Sequence, residues 1–237
     1  RAIKYEQRLS FNLDPETLNS LHMATNQEIL NTVSPDRIFR EIELIFGEKR
    51  PDLTLRRGGE LSIFKMIYAP LGDLSWITSL VYKSRGKIAL EYLAAMSYYL
   101  NKEQSDPFIK RLNMTKEWAK IVHDSITLRS YANRLAKNNL PASKLCKLLD
   151  PLSPISIKGT APLTPNTLAE TRMLEYLDRI RYISPYLTGN DLIDLGFHSG
   201  PKIGKFLQQL REACLDGKVT NKEEEIDLAR KYLLRYG

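Results

Sequence analysis

Ser34-Pro35-Asp36-Arg37-Ile38-Phe39-Arg40-Glu41-Ile42-Glu43-Leu44-Ile45-Phe46-Gly47 decides the fold class. Serine before proline is a helix cap followed by a residue whose missing N–H is no loss in a first turn. Ile38, Phe39, Ile42, Ile45 and Phe46 recur at the helical period as one apolar stripe, and Gly47 is a stop. The same grammar extends outward from this stretch. Arg1 to Leu9 reads as the end of a helix, and Asp14-Pro15 opens another through Leu18 and Leu21. Pro51 opens a short helix ending near Gly58-Gly59, Leu61, Phe64, Ile67 and Tyr68 mark the next, and Asp73 to about Val81 carries Trp76, Ile77 and Leu80. Lys87 to Leu100 is helical and rich in tyrosine. Thr115 caps a long helix holding Trp118, Ile121, Val122, Ile126 and Leu128, and Pro141 starts one bearing Leu145, Leu148 and Leu149. No strand or hairpin pattern interrupts the series. The expected fold is all-α: an array of short antiparallel helices with a small helical tail and no significant sheet.

Composition changes at Pro151, Pro154, Pro162 and Pro165, which place four of the twelve prolines within fifteen residues. Such density reads as a stiff linker. Beyond it, Thr164-Pro165 opens a helix with Leu168, Leu174, Leu177 and Ile180, and a short helix runs from Asn190 to Leu195. Gly200-Pro201 opens another, and Thr220-Asn221-Lys222-Glu223 has capping-box spacing before the last. The expected organisation is a helical region over 1–82, a basic helical body over 83–150, a linker over 151–165 and a helical tail over 166–237.

The 237 residues are 43% hydrophobic and 27% charged, which excludes wholesale disorder. No apolar run approaches the length of a membrane span. Cys146 and Cys214, with His22, His123 and His198, supply neither a disulfide framework nor an ordinary structural zinc site. His123-Asp124 resembles a metal-phosphohydrolase pair, but the further His and Asp ligands are missing. No nucleophile–histidine–acid arrangement or phosphate-cradling loop is present. These features fit a reduced, cytoplasmic setting.

The net charge is +7, and it is concentrated. From Lys83 to Leu149 thirteen Lys and Arg face five Asp and Glu, an excess larger than that of the whole chain. A one-signed field attracts polyanions and accelerates encounter with them. The candidate phosphate contacts here are Lys110, Arg111, Lys120, Arg129 and Arg134. A second candidate lies in Leu195-Gly196-Phe197-His198-Ser199-Gly200-Pro201-Lys202-Ile203-Gly204-Lys205. A helix ending at glycine and restarting at Gly-Pro exposes first-turn N–H groups that favour an anion. Gly200 and Gly204 would let a backbone approach, and Lys202 and Lys205 add charge. The pattern resembles a helix-hairpin-helix phosphate site; the alternative is a plain tight turn with Gly204 serving helix contact. Tyr92, Tyr98 and Tyr99 suit base stacking or core packing. Arg37 and Glu41 stand four apart on one helix face, the spacing of a surface ion pair.

Two stretches carry a family resemblance. Arg1-Ala-Ile-Lys-Tyr-Glu-Gln-Arg-Leu-Ser-Phe, Asp14-Pro15-Glu16-Thr17-Leu18 and Ser34-Pro35-Asp36-Arg37 through Glu41 resemble the neck of bacterial-type (class II) tRNA nucleotidyltransferases and poly(A) polymerases. Leu187-Thr188-Gly189-Asn190-Asp191-Leu192-Ile193 through Gly200-Pro201-x-Ile203-Gly204, then Leu215-Asp216-Gly217-Lys218-Val219, resembles the tail of many bacterial members. The resemblance implies a C-terminal neck, body and tail belonging with a β-containing catalytic head of the same parent polypeptide. That head would use Mg2+ with CTP or ATP. Its metal-binding carboxylates, and the neck Glu-Asp-x-x-Arg motif that pairs with the incoming base, are not among these residues. No catalytic residue and no cofactor is therefore expected here. Asp36, Arg37 and Glu41 match the motif that braces the nucleotide-selecting helix. Asp36 stands where many members have Glu, and Lys4, a further RNA-contact candidate, stands where they usually have Arg, which loses a bidentate fork. The implied partner is tRNA, held at acceptor stem and elbow during 3′-end CCA addition, with no membrane role. The rivals are a helical protein-interaction or dimerisation module and a stand-alone helix-hairpin-helix nucleic-acid binder.

Overall fold

A proline at the first position starts several of the helices. Residues 1–26, 29–72, 77 and 89–236 are described by the computed structural model, and among them are fourteen α-helices and no strand. Helix α1 is Ala2–Leu9 and α2 is Pro15–Asn26, where Asp14 Oδ1 accepts the N–H groups of Glu16 and Thr17 at 3.0 and 2.9 Å. Helix α3, Pro35–Phe46, buries Ile38, Ile42 and Phe46. Helices α4 (Pro51–Glu60) and α5 (Ile63–Ile67) cross closely: a Cβ at Gly58 would meet the Phe64 ring at 3.0 Å. The helix expected over Asp73 to Val81 lies outside the described residues, apart from the buried Ile77. Lys83, Arg85 and Lys87 lie outside them as well.

The centre is α6, Ala89–Ser97, buried at every position from Glu91 onward. Tyr92 and Tyr98 are 3% and 2% exposed and belong to the core, which removes both from base stacking. Helix α7 (Lys102–Arg111) opens on an Asn101–Gln104 capping box. Helix α8 (Lys116–Leu135) follows, its Thr115 cap accepting from the Trp118 N–H. It is shared by two cores: Trp118, Ile121 and Val122 pack with α3 and α6, while Leu128 and Leu135 pack with later helices. Those later helices are α9 (Ala142–Leu149), α10 (Pro154–Thr160) and α11 (Thr167–Asp178). The tail, α12 (Gly189–Asp194), α13 (Pro201–Leu215) and α14 (Lys222–Tyr236), has a third core of Leu187, Leu192, Phe197, Phe206, Leu210 and Ala229. Its last cap is Asn221 with Glu224, one residue later than the spacing predicts.

The 151–165 stretch is not a linker. Pro154 is the first residue of α10, and Pro162 lies in a 3-10 turn, Ala161–Leu163. Ile157 and Ala161 are fully buried, and α10 packs directly on α6. A Cβ at Gly159 would sit 2.6 Å from the Glu91 carbonyl and 2.8 Å from Ala94 Cβ, so the glycine admits the close crossing. Here Pro154 and Pro162 fix helix starts rather than keep the chain extended.

Candidate nucleic-acid interface

The last turns of α8, the loop after it and the outer face of α9 enclose a cleft of about 630 Å3. Helix periodicity sets its lining. Tyr131 and Arg134 are one turn apart on α8, and Lys144 and Lys147 one turn apart on α9, opposite the buried Leu145, Cys146 and Leu149, with Leu148 at the cleft's base. Lys137 and Asn139 project from the loop. The Arg134 guanidinium lies 5.2 Å from the Tyr131 ring centre. Lys147 Nζ is 2.7 Å from Glu212 Oε1, while Arg134, Lys137 and Lys144 make no ion pair among the described residues. Among the described residues no acidic side chain lines the cleft.

The loop wall is held from behind by Arg172 of α11. Its guanidinium donates to the carbonyls of Leu135, Lys137 and Asn138 at 2.6, 2.5 and 2.9 Å. These are carbonyls at and just beyond the end of α8, where no intrahelical N–H remains to pair them and a cation is favoured.

The other basic candidates divide sharply. Lys110 is exposed at the end of α7, and Arg134 lines the cleft. Arg111 donates to the Leu30 carbonyl at 3.0 Å, and Lys120 sits 2.9 Å from Asp124 and 3.2 Å from the Pro151 carbonyl. Arg129 donates to the Tyr99 carbonyl at 2.7 Å and lies over the Tyr99 ring. Lys4 is buried, 3.6 Å from Glu41. These four are tied to the protein itself and join helices together. Lys137, Lys144, Lys147, Tyr131 and Arg172 carry the cleft and were not singled out in the sequence. The readable signal was the one-turn spacing on either side of a short Pro-terminated loop.

At the tail turn, Gly200 has φ of 149° and caps α13, with Pro201 first in the helix. A Cβ at Gly200 or Gly204 would meet nothing within 4 Å, so close helix contact does not account for Gly204. Lys202 and Lys205 are exposed on this turn.

Asp36, Arg37, Glu41 and Lys4 converge on one cleft of about 590 Å3 between α1, α3 and α5, floored by Ile3, Ile42, Ile45 and Phe64. The Arg37–Glu41 pair does not form. Glu41 instead binds Arg1 and Lys4 of α1, and Asp36 accepts from Asn113 Nδ2 at 2.8 Å. Burial works to raise the Glu41 carboxyl, but the Arg1 hydrogen bond and the Lys4 charge outweigh it and hold it below the usual range. Deeper in, Glu6 takes two contacts from Arg57, at 3.1 and 3.4 Å. Burial again opposes, and Arg57 with the Leu13 N–H lowers the Glu6 carboxyl.

Burial pushes both thiols up, Cys146 and Cys214 each to about 11, so neither is a thiolate at neutral pH. Asp124 is buried against Lys120 and the Ser153 N–H, while His123 faces out toward Asp106. Among the described residues no group of three or more His, Cys, Asp or Glu could hold a metal ion. Among the same residues no helix is long and apolar enough to cross a membrane.

Residues 10–70 match the family described as the probable RNA and SrmB-binding site of polymerase A. The chain is 23% identical over 249 residues to the A-adding tRNA nucleotidyltransferase of Geobacter sulfurreducens, covering 97% of the chain and 28% of that protein. It is 24% identical to the CCA-adding enzyme of Streptococcus pneumoniae, covering 95% of the chain and 57% of the enzyme. The Thermotoga maritima CCA-adding enzyme complexed with tRNA shares the fold, with a TM-score of 0.78 at 21% identity over 98% of the chain and 60% of that structure. The chain thus spans between about a quarter and three-fifths of these proteins.

Proposed function

We propose that this chain is the RNA-holding helical part of a tRNA nucleotidyltransferase-type protein: a neck over 1–82, a basic body over 83–150 and a tail from 166, with 151–165 built into the body's core. The single observation that carries the reading is the acid-free cleft of Arg134, Lys137, Lys144 and Lys147, three of whose cations have no ion-pair partner among the described residues. Phosphates supply the missing counter-charge, and lysine and arginine read a folded RNA by backbone and shape rather than by base sequence. The tRNA-complexed enzyme of like fold supports tRNA as the partner; the reading has it gripped along acceptor stem and elbow. Lys110 and the Gly200–Lys205 turn, with Lys202, Gly204 and Lys205, are proposed as outlying phosphate contacts. Asp36, Arg37 and Glu41 are proposed to brace the neck.

Phosphoryl transfer needs carboxylates that hold metal ions and align the attacking hydroxyl. The reading assigns that work, with Mg2+ and CTP or ATP, to a catalytic head outside these residues, in a cytoplasmic parent enzyme acting at tRNA 3′ ends. A second reading, a protein-interaction module, has in its favour the apolar cleft between α1, α3 and α5.

A salt-titrated gel shift with tRNA and duplex DNA separates the readings. Preference for tRNA that weakens steeply with salt supports the first. Preference for DNA supports a stand-alone helix-hairpin-helix binder, and absence of binding to either supports the interaction module.

A further inference from the structure

Between body and tail the chain runs Arg179-Ile-Arg-Tyr-Ile-Ser-Pro-Tyr-Leu187. Its apolar residues turn inward: Ile180 and Leu187 are buried and Ile183 packs on the second core. Its two tyrosines turn outward, Tyr182 at 69% exposure and Tyr186 at 64%. Solvent-facing tyrosines on a loop are ordinary when the loop is loosely held. This one is braced from both sides. Arg211 of α13 donates to the Ile183 carbonyl at 3.1 Å and the Arg181 carbonyl at 3.5 Å, and is itself anchored on Asp150 at 2.6 Å. Glu225 of α14, only 1% exposed, accepts the N–H groups of Tyr186 and Leu187 at 3.0 and 2.8 Å. Pro185 removes further freedom between the rings. Two charged side chains from different helices thus fix the backbone that displays two bare rings.

The surroundings say what the rings would meet. The Arg181 guanidinium lies 5.2 Å from the Tyr182 ring centre, Arg179 is exposed, and no acid occurs from 179 to 190. The 3-10 turn Ile180–Tyr182 packs on α9, the helix that carries Lys144 and Lys147 of the basic cleft. Rigid aromatic faces with arginine beside them, on a loop that carries no acid of its own, suit a nucleobase face, which stacks without regard to sequence.

We propose that Tyr182 and Tyr186 form a preorganised stacking platform for exposed base faces of the folded RNA whose backbone the cleft holds, an inference that rests on the RNA-holding reading above. Stacking is not ionic, so it separates from phosphate contact by its salt dependence.

The test is fluorescence anisotropy of a labelled tRNA transcript across a salt titration. Tyr182→Ala with Tyr186→Ala is expected to weaken binding about tenfold or more with an unchanged salt slope, while the double Phe variant stays within about twofold of the parent. An unchanged thermal melt excludes loss of folding as the cause. Parent-like binding by the double Ala variant overturns the platform, as does equal weakening by the Phe variant, which would point to the hydroxyls. Lys137→Glu with Lys144→Glu is measured alongside. If that variant weakens binding and the double Ala variant does not, only the platform falls; if it leaves affinity unchanged, the RNA-holding reading falls.

Discussion

The N-terminal helices and the α8–α9 cleft are both rich in cations but use them in opposite ways. In the N-terminal region, Arg1 and Lys4 meet Glu41, Arg8 meets Glu48, Arg40 meets Glu43, Arg50 meets Asp52, and Arg57 meets Glu6 and Glu60. Among the described residues, Lys147 is the one cleft cation with a carboxylate partner. Six cations of the first region are thus already paired, and those of Arg1, Lys4, Arg8 and the Glu6 contact of Arg57 tie separate elements together. In the second, on the proposed reading, positive charge is left for the RNA. A binding surface is marked by missing compensation, which a residue count does not reveal.

The sharpest way to break this contrast is to remove one partner on each side. Glu6 is 6% exposed at its side chain, and Arg57 is its main hydrogen-bond donor. Arg57→Met is expected to cost about 2 kcal/mol or more in urea-denaturation stability, because a buried carboxylate is left under-satisfied. RNA affinity of the folded variant should not move. In the cleft, Lys137→Glu with Lys144→Glu is expected to leave the urea midpoint unchanged. It should weaken tRNA binding tenfold or more and lower the salt slope by about one per lysine lost. Weaker tRNA binding by Arg57→Met, or a destabilised cleft variant, would dissolve the distinction.

A smaller effect belongs to Arg172, which stands between the two kinds of cation. It is structural by its three carbonyl contacts, yet what it shapes is the cleft wall. Arg172→Met is expected to cost about 1 kcal/mol of stability. It should weaken tRNA binding a few-fold with the salt slope retained, since no phosphate contact is removed. Full retention of affinity would mean that the loop keeps its shape unaided.

Arg172 also shows where the sequence stops being legible. Helices were readable because caps, first-turn prolines and apolar periods are local: Asp14 and Thr115 both cap as their types demand. Which face a helix buries was less so. Leu168 and Leu174 mark α11 as apolar, yet they are 37% and 40% exposed, and the buried row is Ala169, Met173 and Tyr176. Tyr176 wins its place because its hydroxyl reaches Asp150 across the core, a partner 26 residues away. The 151–165 stretch misleads for the same reason. Proline density is a local signal, whereas Gly159 against Glu91 is a distant one. Among the basic candidates, sequence located the charged segment but not the residues, because compensation depends on partners such as Pro151 for Lys120 and Tyr99 for Arg129.

The gentlest probe of the contrast is acid. Glu6 and Glu41 each have a folded-state carboxyl held below its ordinary value, against the pull of burial. The unfolded chain therefore takes up these protons more readily than the folded one. Their contribution to stability is complete above the unfolded value of about 4.3 and is lost as pH falls through the lowered folded value. The urea midpoint should accordingly be level from pH 8 to about 5 and decline below about 4. Lysine and arginine side chains ordinarily lose charge only far above this range, so tRNA affinity should stay flat over the same level stretch. In Arg57→Met the Glu6 carboxyl no longer has its main reason to be depressed, so the acid decline should be shallower than in the parent. An identical decline in both proteins would mean that the Glu6–Arg57 pair does not set the acid limit, and that the N-terminal carboxylates matter less to the fold than their geometry indicates.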